Sequence, residues 1–337
     1  MKIIKTIACL WIFTAITTLP LSLLAQESEN AIEHETGFYY TIQKGDTLWD
    51  LSQRFFDSPW QWPGLWNEND QIANPHLIYP GERIRLLHKR RIKNIAVKTP
   101  VKTDKKKAPY YTYSAIDSIG FIRKEPVSPS GYIFKSYDDK QMISTGDKVY
   151  IKPYGNALLI PGNKFTVYRT LKPLKDKETR EYIGTQHYLG GILEITEIEP
   201  DFVTGTIIRS FRDMRVNDLL MPYISRQPKI TLSESKKELN GKIIASEENT
   251  TVFGNDTIAF IDKGYNDGVV PGQQYSIYYQ EKERLDPKSK KYTLLSKVNF
   301  GTLFVLRTEQ TTSTVLITRS DKSITPGAKI CGPLPRK

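Results

Sequence analysis

Few residues in this 337-residue chain have the type and spacing to do chemistry. Its two cysteines, Cys9 and Cys331, and its four histidines, His34, His76, His88 and His187, are widely scattered. Thiolate catalysis needs a histidine base close by, and no histidine follows His187 on the way to Cys331. A zinc hydrolase needs two or three histidines at short spacing, a pattern these four do not make. The carboxylate pairs Asp138-Asp139 and Glu247-Glu248 could serve a glycosidase, which requires only two carboxyl groups. Adjacent carboxylates in turn-like positions nevertheless read first as solvated loop charges. No glycine-rich phosphate loop precedes a helix, and no nucleophile elbow is present. The expectation is a non-enzymatic protein with no catalytic residue, no metal and no cofactor.

Composition narrows the class further. With 39% hydrophobic and 25% charged residues the chain is neither collagen-like nor wholly disordered, and its length suits two or three domains. Two cysteines exclude a disulfide framework. The net charge of +11 resembles a nucleic-acid signature until it is located. Residues 89–107 hold nine Lys or Arg against Asp104 alone, and Lys2 and Lys5 lie in an N-terminal export signal. What remains is close to neutral, so nucleic acid is not an expected partner. The signal is read over residues 1–25: two lysines, an apolar run through Cys9, Leu10, Trp11, Ile12 and Phe13, then Pro20 and a small residue at Ala25. Cleavage would place the protein in the periplasm or cell envelope. A membrane is a partner only if the signal stays uncleaved.

The most informative stretch is residues 38–87. Phe38–Ile42 is β-prone, Gly45 marks a turn, and Thr47 with Asp50 fits a helix capping box. Leu48, Leu51, Ser52 and Phe55 recur at helical spacing. Ser58-Pro59 starts a second helix with Trp62, Leu65, Trp66 and Asn69 on one face. Pro80-Gly81 is a turn pair, and Ile84 and Leu86 alternate with Arg83 and Arg85 in a closing strand. The order is strand, helix, helix, strand, an α+β module. Trp49, Trp60, Trp62 and Trp66 are expected as the core of this small unit rather than as a sugar platform.

These residues resemble the LysM family of glycan-binding modules. The run Tyr40-Thr41-Ile42-Gln43-Lys44-Gly45-Asp46-Thr47-Leu48-Trp49 is similar to its opening motif, and Asn69, Ile72, Pro75, Ile78, Tyr79, Pro80 and Gly81 to its closing segment. The resemblance implies binding of N-acetylglucosamine-containing polymers, here peptidoglycan. It places the groove between Gly45, Asp46, Thr47 and Leu48 on one wall and Asn69, Ile72, Pro75, Leu77 and Ile78 on the other. Thr47 and Asp46 also suit a capping role, Asn69 a helix end, and Ile72 and Ile78 a core.

Residues 88–114 read as a basic flexible linker. Beyond it, residues 131–222 and 241–332 repeat at a spacing of 110: Gly131, Ile133 and Ser136 fall on Gly241, Ile243 and Ser246, and Pro161-Gly162 on Pro271-Gly272. Each copy is strand-rich, so two tandem mostly-β domains, small barrels or sandwiches, are expected over 115–225 and 238–334. The reading is a non-catalytic envelope protein that binds peptidoglycan through 38–87 and offers two β-domains to an envelope protein partner. The alternatives are an assembly or structural factor of an envelope or secretion complex, and a peptidoglycan hydrolase with an unrecognised carboxylate site.

Overall fold

The computed structural model describes residues 36–56, 58–87, 108–155, 157–285 and 291–334. The expected export signal at 1–25 and the basic stretch 89–107 lie outside them. The chain opens with strand β1 (Gly37–Thr41), helix α1 (Leu48–Phe56), a 3₁₀ turn (Pro59–Gln61), helix α2 (Trp62–Asn67) and strand β2 (Arg83–Leu87). Thr47 caps α1 as its sequence demands: its hydroxyl accepts from the Asp50 backbone N–H (3.1 Å) and donates to the Asp50 carboxylate (2.8 Å). Leu48, Leu51, Ser52 and Phe55 are the buried stripe of α1. Helix α2 buries Leu65.

Two short strands follow, β3 (Tyr110–Thr112) and β4 (Phe121–Arg123). The first repeat copy contains β5 (Gly131–Ser136), β6 (Lys148–Pro153), β7 (Lys164–Thr170), β8 (Leu174–Lys175), β9 (Tyr182–Ile198), β10 (Val203–Ser210) and β11 (Leu219–Pro222). After β12 (Lys229–Thr231), the second contains β13 (Asn240–Ser246), β14 (Ile258–Ile261), β15 (Gln274–Tyr279), β16 (Lys282–Glu283), β17 (Thr293–Leu294), β18 (Val298–Thr308), β19 (Ser313–Ser320) and β20 (Lys329–Cys331).

The second copy is a closed six-stranded barrel in the order β13-β14-β19-β18-β15-β20. In the first copy β5, β6, β10, β9, β7 and β11 pair in the same cyclic order, and β4 adds beside β9. The isolated bridges Ile143–Met214 and Phe253–Ile324 also fall one repeat apart. Interior positions correspond in the same way: Ile133, Val167 and Leu193 fill the first core where Ile243, Ile277 and Leu303 fill the second.

The structure corrects the expected linker. Its end, residues 110–112, is not a tether but β3, which pairs antiparallel with β1 and in turn with β12, giving the sheet order β12-β3-β1-β2. Tyr110-Tyr111-Thr112 is β-prone, and the lysines before it masked that signal. The module's sheet thus contains strands from either side of the first repeat copy, and its core continues into the second. Phe38 and Tyr111 meet at 4.5 Å between ring centroids, and Phe304 of β18 lies 5.5 Å and 4.9 Å from them. Ile258, Leu306 and Leu316 complete the contact from the outer face of the barrel. The corresponding residues of the first copy, Lys148, Glu194, Thr196 and Thr206, are polar, so that face offers the module no apolar seat.

The two copies are joined through β4. Thr312 and Thr314 hydroxyls donate to the Ile122 and Gly120 carbonyls at 2.7 and 2.9 Å. His187 of β9 is fully buried in the first copy, stacked on Phe121 at 4.5 Å, with Nε2 accepting from the Val127 backbone N–H at 3.0 Å.

Two measurements test this architecture. Phe304→Ala should destabilise the chain by about 3–5 kcal/mol in urea unfolding, whereas Glu194→Ala at the matching position should stay within about 0.5 kcal/mol. Burial holds the His187 pKa down to about 4 from an ordinary 6.5. The unfolded chain therefore takes up a proton first, and stability should fall as pH drops from 6.5 towards 4, by at most roughly 3 kcal/mol, then level off. In His187→Gln that part of the pH profile should be flatter.

Candidate functional site

The two expected walls leave the sheet from one end. At the junction the Ile42 N–H donates to the Glu82 carbonyl and the Gly81 N–H to the Ile42 carbonyl, both at 2.9 Å. These bonds tie the exit of β1 to the entry of β2. Gly45 turns the first loop at φ +88°, a conformation costly for any side chain. Asp46 holds that loop closed: its carboxylate accepts from the Gln43 N–H (2.7 Å) and the Tyr40 hydroxyl (2.8 Å). Burial, followed by this bond to Asp46, pushes the Tyr40 pKa up to about 12, so the phenol stays a donor. The Arg54 guanidinium sits 5.4 Å from the Tyr40 ring centroid and donates to its hydroxyl at 3.4 Å.

The second wall is fixed from below. Asn69 is 1% exposed. Its amide donates to the carbonyls of Leu65 and Arg85, both at 2.7 Å, and its carbonyl accepts from the Arg85 N–H at 2.6 Å. It therefore welds the end of α2 to β2. The Trp66 indole donates to the Ile72 carbonyl at 2.7 Å, anchoring the loop that follows. Pro75, Leu77 and Ile78 come next, and Leu77 is 56% exposed.

Of the nine expected site residues, Gly45, Thr47 and Leu77 face solvent and Asp46, Pro75 and Ile78 are half-buried. Leu48, Asn69 and Ile72 are buried, so their side chains support the walls rather than form their surface. The two loops expose turn backbone and the apolar Leu77, with Lys44 and the half-buried Asp46 as the charged groups of the first. Such a surface suits an uncharged polar ligand carrying small apolar groups, such as an N-acetylated sugar.

The tryptophans depart from expectation. Trp62 and Trp66 are half-buried against the core, stacked at 6.3 Å. Trp49 and Trp60 instead form an edge-to-face pair at 4.8 Å on the outside, 41% and 76% exposed. Trp60 lies on a 3₁₀ turn, where helical spacing gives no guide to burial.

The other candidate groups serve the β units. Asp138 and Asp139 are exposed, with Lys140 and Lys135 at 3.9 and 3.2 Å. Glu247 is buried, its carboxylate accepting from the Gly120 N–H and pairing with Arg212 at 2.9 Å. Burial raises its pKa against the pull of Arg212. Cys331 is buried on β20, and burial pushes its thiol up as well. No cluster of metal-ligating side chains occurs among the described residues.

Residues 40–86 match the family model for the LysM domain, so the chain carries a LysM domain there. Among curated proteins it is similar to Uncharacterized protein YqbP of Bacillus subtilis (strain 168), at 35% identity over 57 residues. That match spans 14% of this chain and 26% of the relative, about a quarter of the latter's length.

Removing the amide in Asn69→Ala strands two carbonyls and one N–H in the interior, and should cost about 2–3 kcal/mol in urea unfolding. Asn69→Asp should fare no better, because a carboxylate cannot donate to either carbonyl. Thr47→Ala, which loses a single cap, should cost about 1 kcal/mol.

Proposed function

We propose that this is a non-catalytic cell-envelope protein that holds peptidoglycan in the groove between residues 45–48 and 72–78. The observation that carries the reading is the LysM domain at residues 40–86, since LysM domains bind peptidoglycan- and chitin-type glycans. The exposed Gly45, Thr47 and Leu77 supply backbone and apolar contacts suited to N-acetyl groups. No helix among the described residues is long and apolar enough to cross a membrane. An export signal over 1–25 would deliver the chain to the envelope, and the basic residues 89–107 would add attraction to anionic wall polymers that weakens with salt. The two β units, taken as tandem domains, contribute surface for protein contacts rather than chemistry.

Co-sedimentation of the chain with purified peptidoglycan sacculi tests this reading. Retention should persist at high salt, because the N-acetyl groups that the loops would hold carry no charge for salt to screen. Leu77→Asp, at a position 56% exposed, should weaken retention about tenfold while leaving the unfolding midpoint unchanged. Retention that vanishes with salt would place binding in the basic stretch and remove the groove from the account. Clearing of the suspension would replace binding with hydrolysis.

A further inference from the structure

The four tryptophans of the LysM domain divide by burial. Trp66 spends its indole N–H on the Ile72 carbonyl at 2.7 Å, and Trp62 packs on Trp66 at 6.3 Å between ring centroids. Trp49 and Trp60 stay outside, 41% and 76% exposed. A ring held this far in water adds little to the hydrophobic stability of the domain. Large exposed aromatics are informative when they gather, and these two touch at 4.8 Å with their planes 74° apart. In such an edge-to-face pair, the ring that presents its edge keeps both of its flat faces clear of the other.

Their position ties them to the two candidate loops. Trp49 follows Leu48 in the first turn of α1, whose cap Thr47 belongs to one wall. Trp60 lies against Trp49 from the 3₁₀ turn. Two residues on, Trp62 reaches the other wall: its ring lies 6.4 Å from that of the exposed His76, between Pro75 and Leu77. The short segment from Trp60 to Trp62 therefore carries aromatic rings from one loop to the other. Its backbone is stiff. Pro59 and Pro63 fix φ on either side, and the Trp62 N–H donates to the Pro59 carbonyl. Rings on such a segment are in place before a ligand arrives, so binding pays little for ordering them.

We propose that the Trp49–Trp60 pair is a second sugar subsite, on which a glycan held between the two loops, as proposed above, lays a further ring. A pyranose ring presents C–H groups on its faces and hydroxyls around its rim. An indole face covers the C–H surface and leaves the hydroxyls in water, a combination of large apolar area and polar edge that Trp supplies. The occupant is the one the loops already suit, an uncharged N-acetylated sugar polymer. A polymer offers ring after ring in line, and the contacts of Trp49 with the first loop and Trp62 with the second place the pair at the border of the groove. With the pair in use, affinity for glycan grows with glycan length beyond what the loops contribute.

Calorimetric titration of the chain with the dimer and the hexamer of N-acetylglucosamine tests the proposal through the ratio of the two affinities. Trp60→Ala should lower the hexamer-to-dimer ratio about fivefold against the wild type. Trp60→Leu, which keeps apolar bulk without a flat ring, should do the same, and Trp60→Tyr should restore most of the ratio. Because Trp60 is 76% exposed, all three should keep the wild-type circular dichroism. Leu77→Asp should weaken dimer and hexamer alike. A ratio unchanged in Trp60→Ala would overturn the subsite, and weakening by Leu77→Asp would then still support the groove. No weakening of either oligomer by Leu77→Asp would remove the groove, and with it the subsite as its extension. A chain that binds neither oligomer would remove both. A blue shift of tryptophan emission on phosphatidylcholine vesicles, with the ratio indifferent to Trp60, would assign the pair to a lipid surface instead.

Discussion

The aromatic contact among Phe38, Tyr111 and Phe304 is the constraint on which the rest of the structure depends. It brings together the first strand of the LysM domain, the strand after the basic stretch and a strand of the second β unit. A domain of about fifty residues buries little surface by itself and is correspondingly marginal. Here β3 and β12 extend its sheet, and four apolar side chains of the neighbouring barrel enlarge its core. The edge of β1 that would otherwise lie open is paired with β3, which removes a site for adventitious strand addition. The two candidate loops leave the sheet beside β2, and Asn69 and the Ile42 backbone hold them to it.

The repeat shows how one sequence pattern is kept inside and changed outside. Interior residues of the two copies match at a spacing of 110 because both must fill the same small barrel. Outer residues are free of that requirement, and the differences between them decide which copy touches what. Phe304 against Glu194 determines where the LysM domain sits. Ile244 and Phe260 pack against Ile122, Leu174 and Ile183, whereas Phe134 and Tyr150 at the matching positions pack on each other.

Local order was legible in the sequence wherever a periodic pattern coincided with a backbone signal. The Thr47–Asp50 cap, the α1 stripe and the Pro80-Gly81 turn each combine such a pair, and each is found where expected. The repeat was legible for the same reason, since its turn residues recur across many separate loops. What the sequence did not disclose depends on contacts between distant segments. Nothing near Tyr110 announces that it pairs with Tyr39, and Lys229-Ile230-Thr231 is too short to stand out as a strand. Among the site residues, an Asn at a helix end reads equally as ligand or weld, and only the geometry of its four polar contacts distinguishes the two. The exposed Trp49–Trp60 pair eluded a rule that is sound on average, that large aromatics in small domains are core.

The central claim is that glycan meets this chain between the two loops at the end of the LysM sheet. Backbone amide shifts recorded during titration with a soluble N-acetylglucosamine oligomer address it directly. The account predicts that the largest changes fall on Gly45, Asp46, Thr47, Leu77 and Ile78, with the β units unmoved. Changes confined to the β units, or to Trp49 and Trp60 with both loops silent, would contradict it.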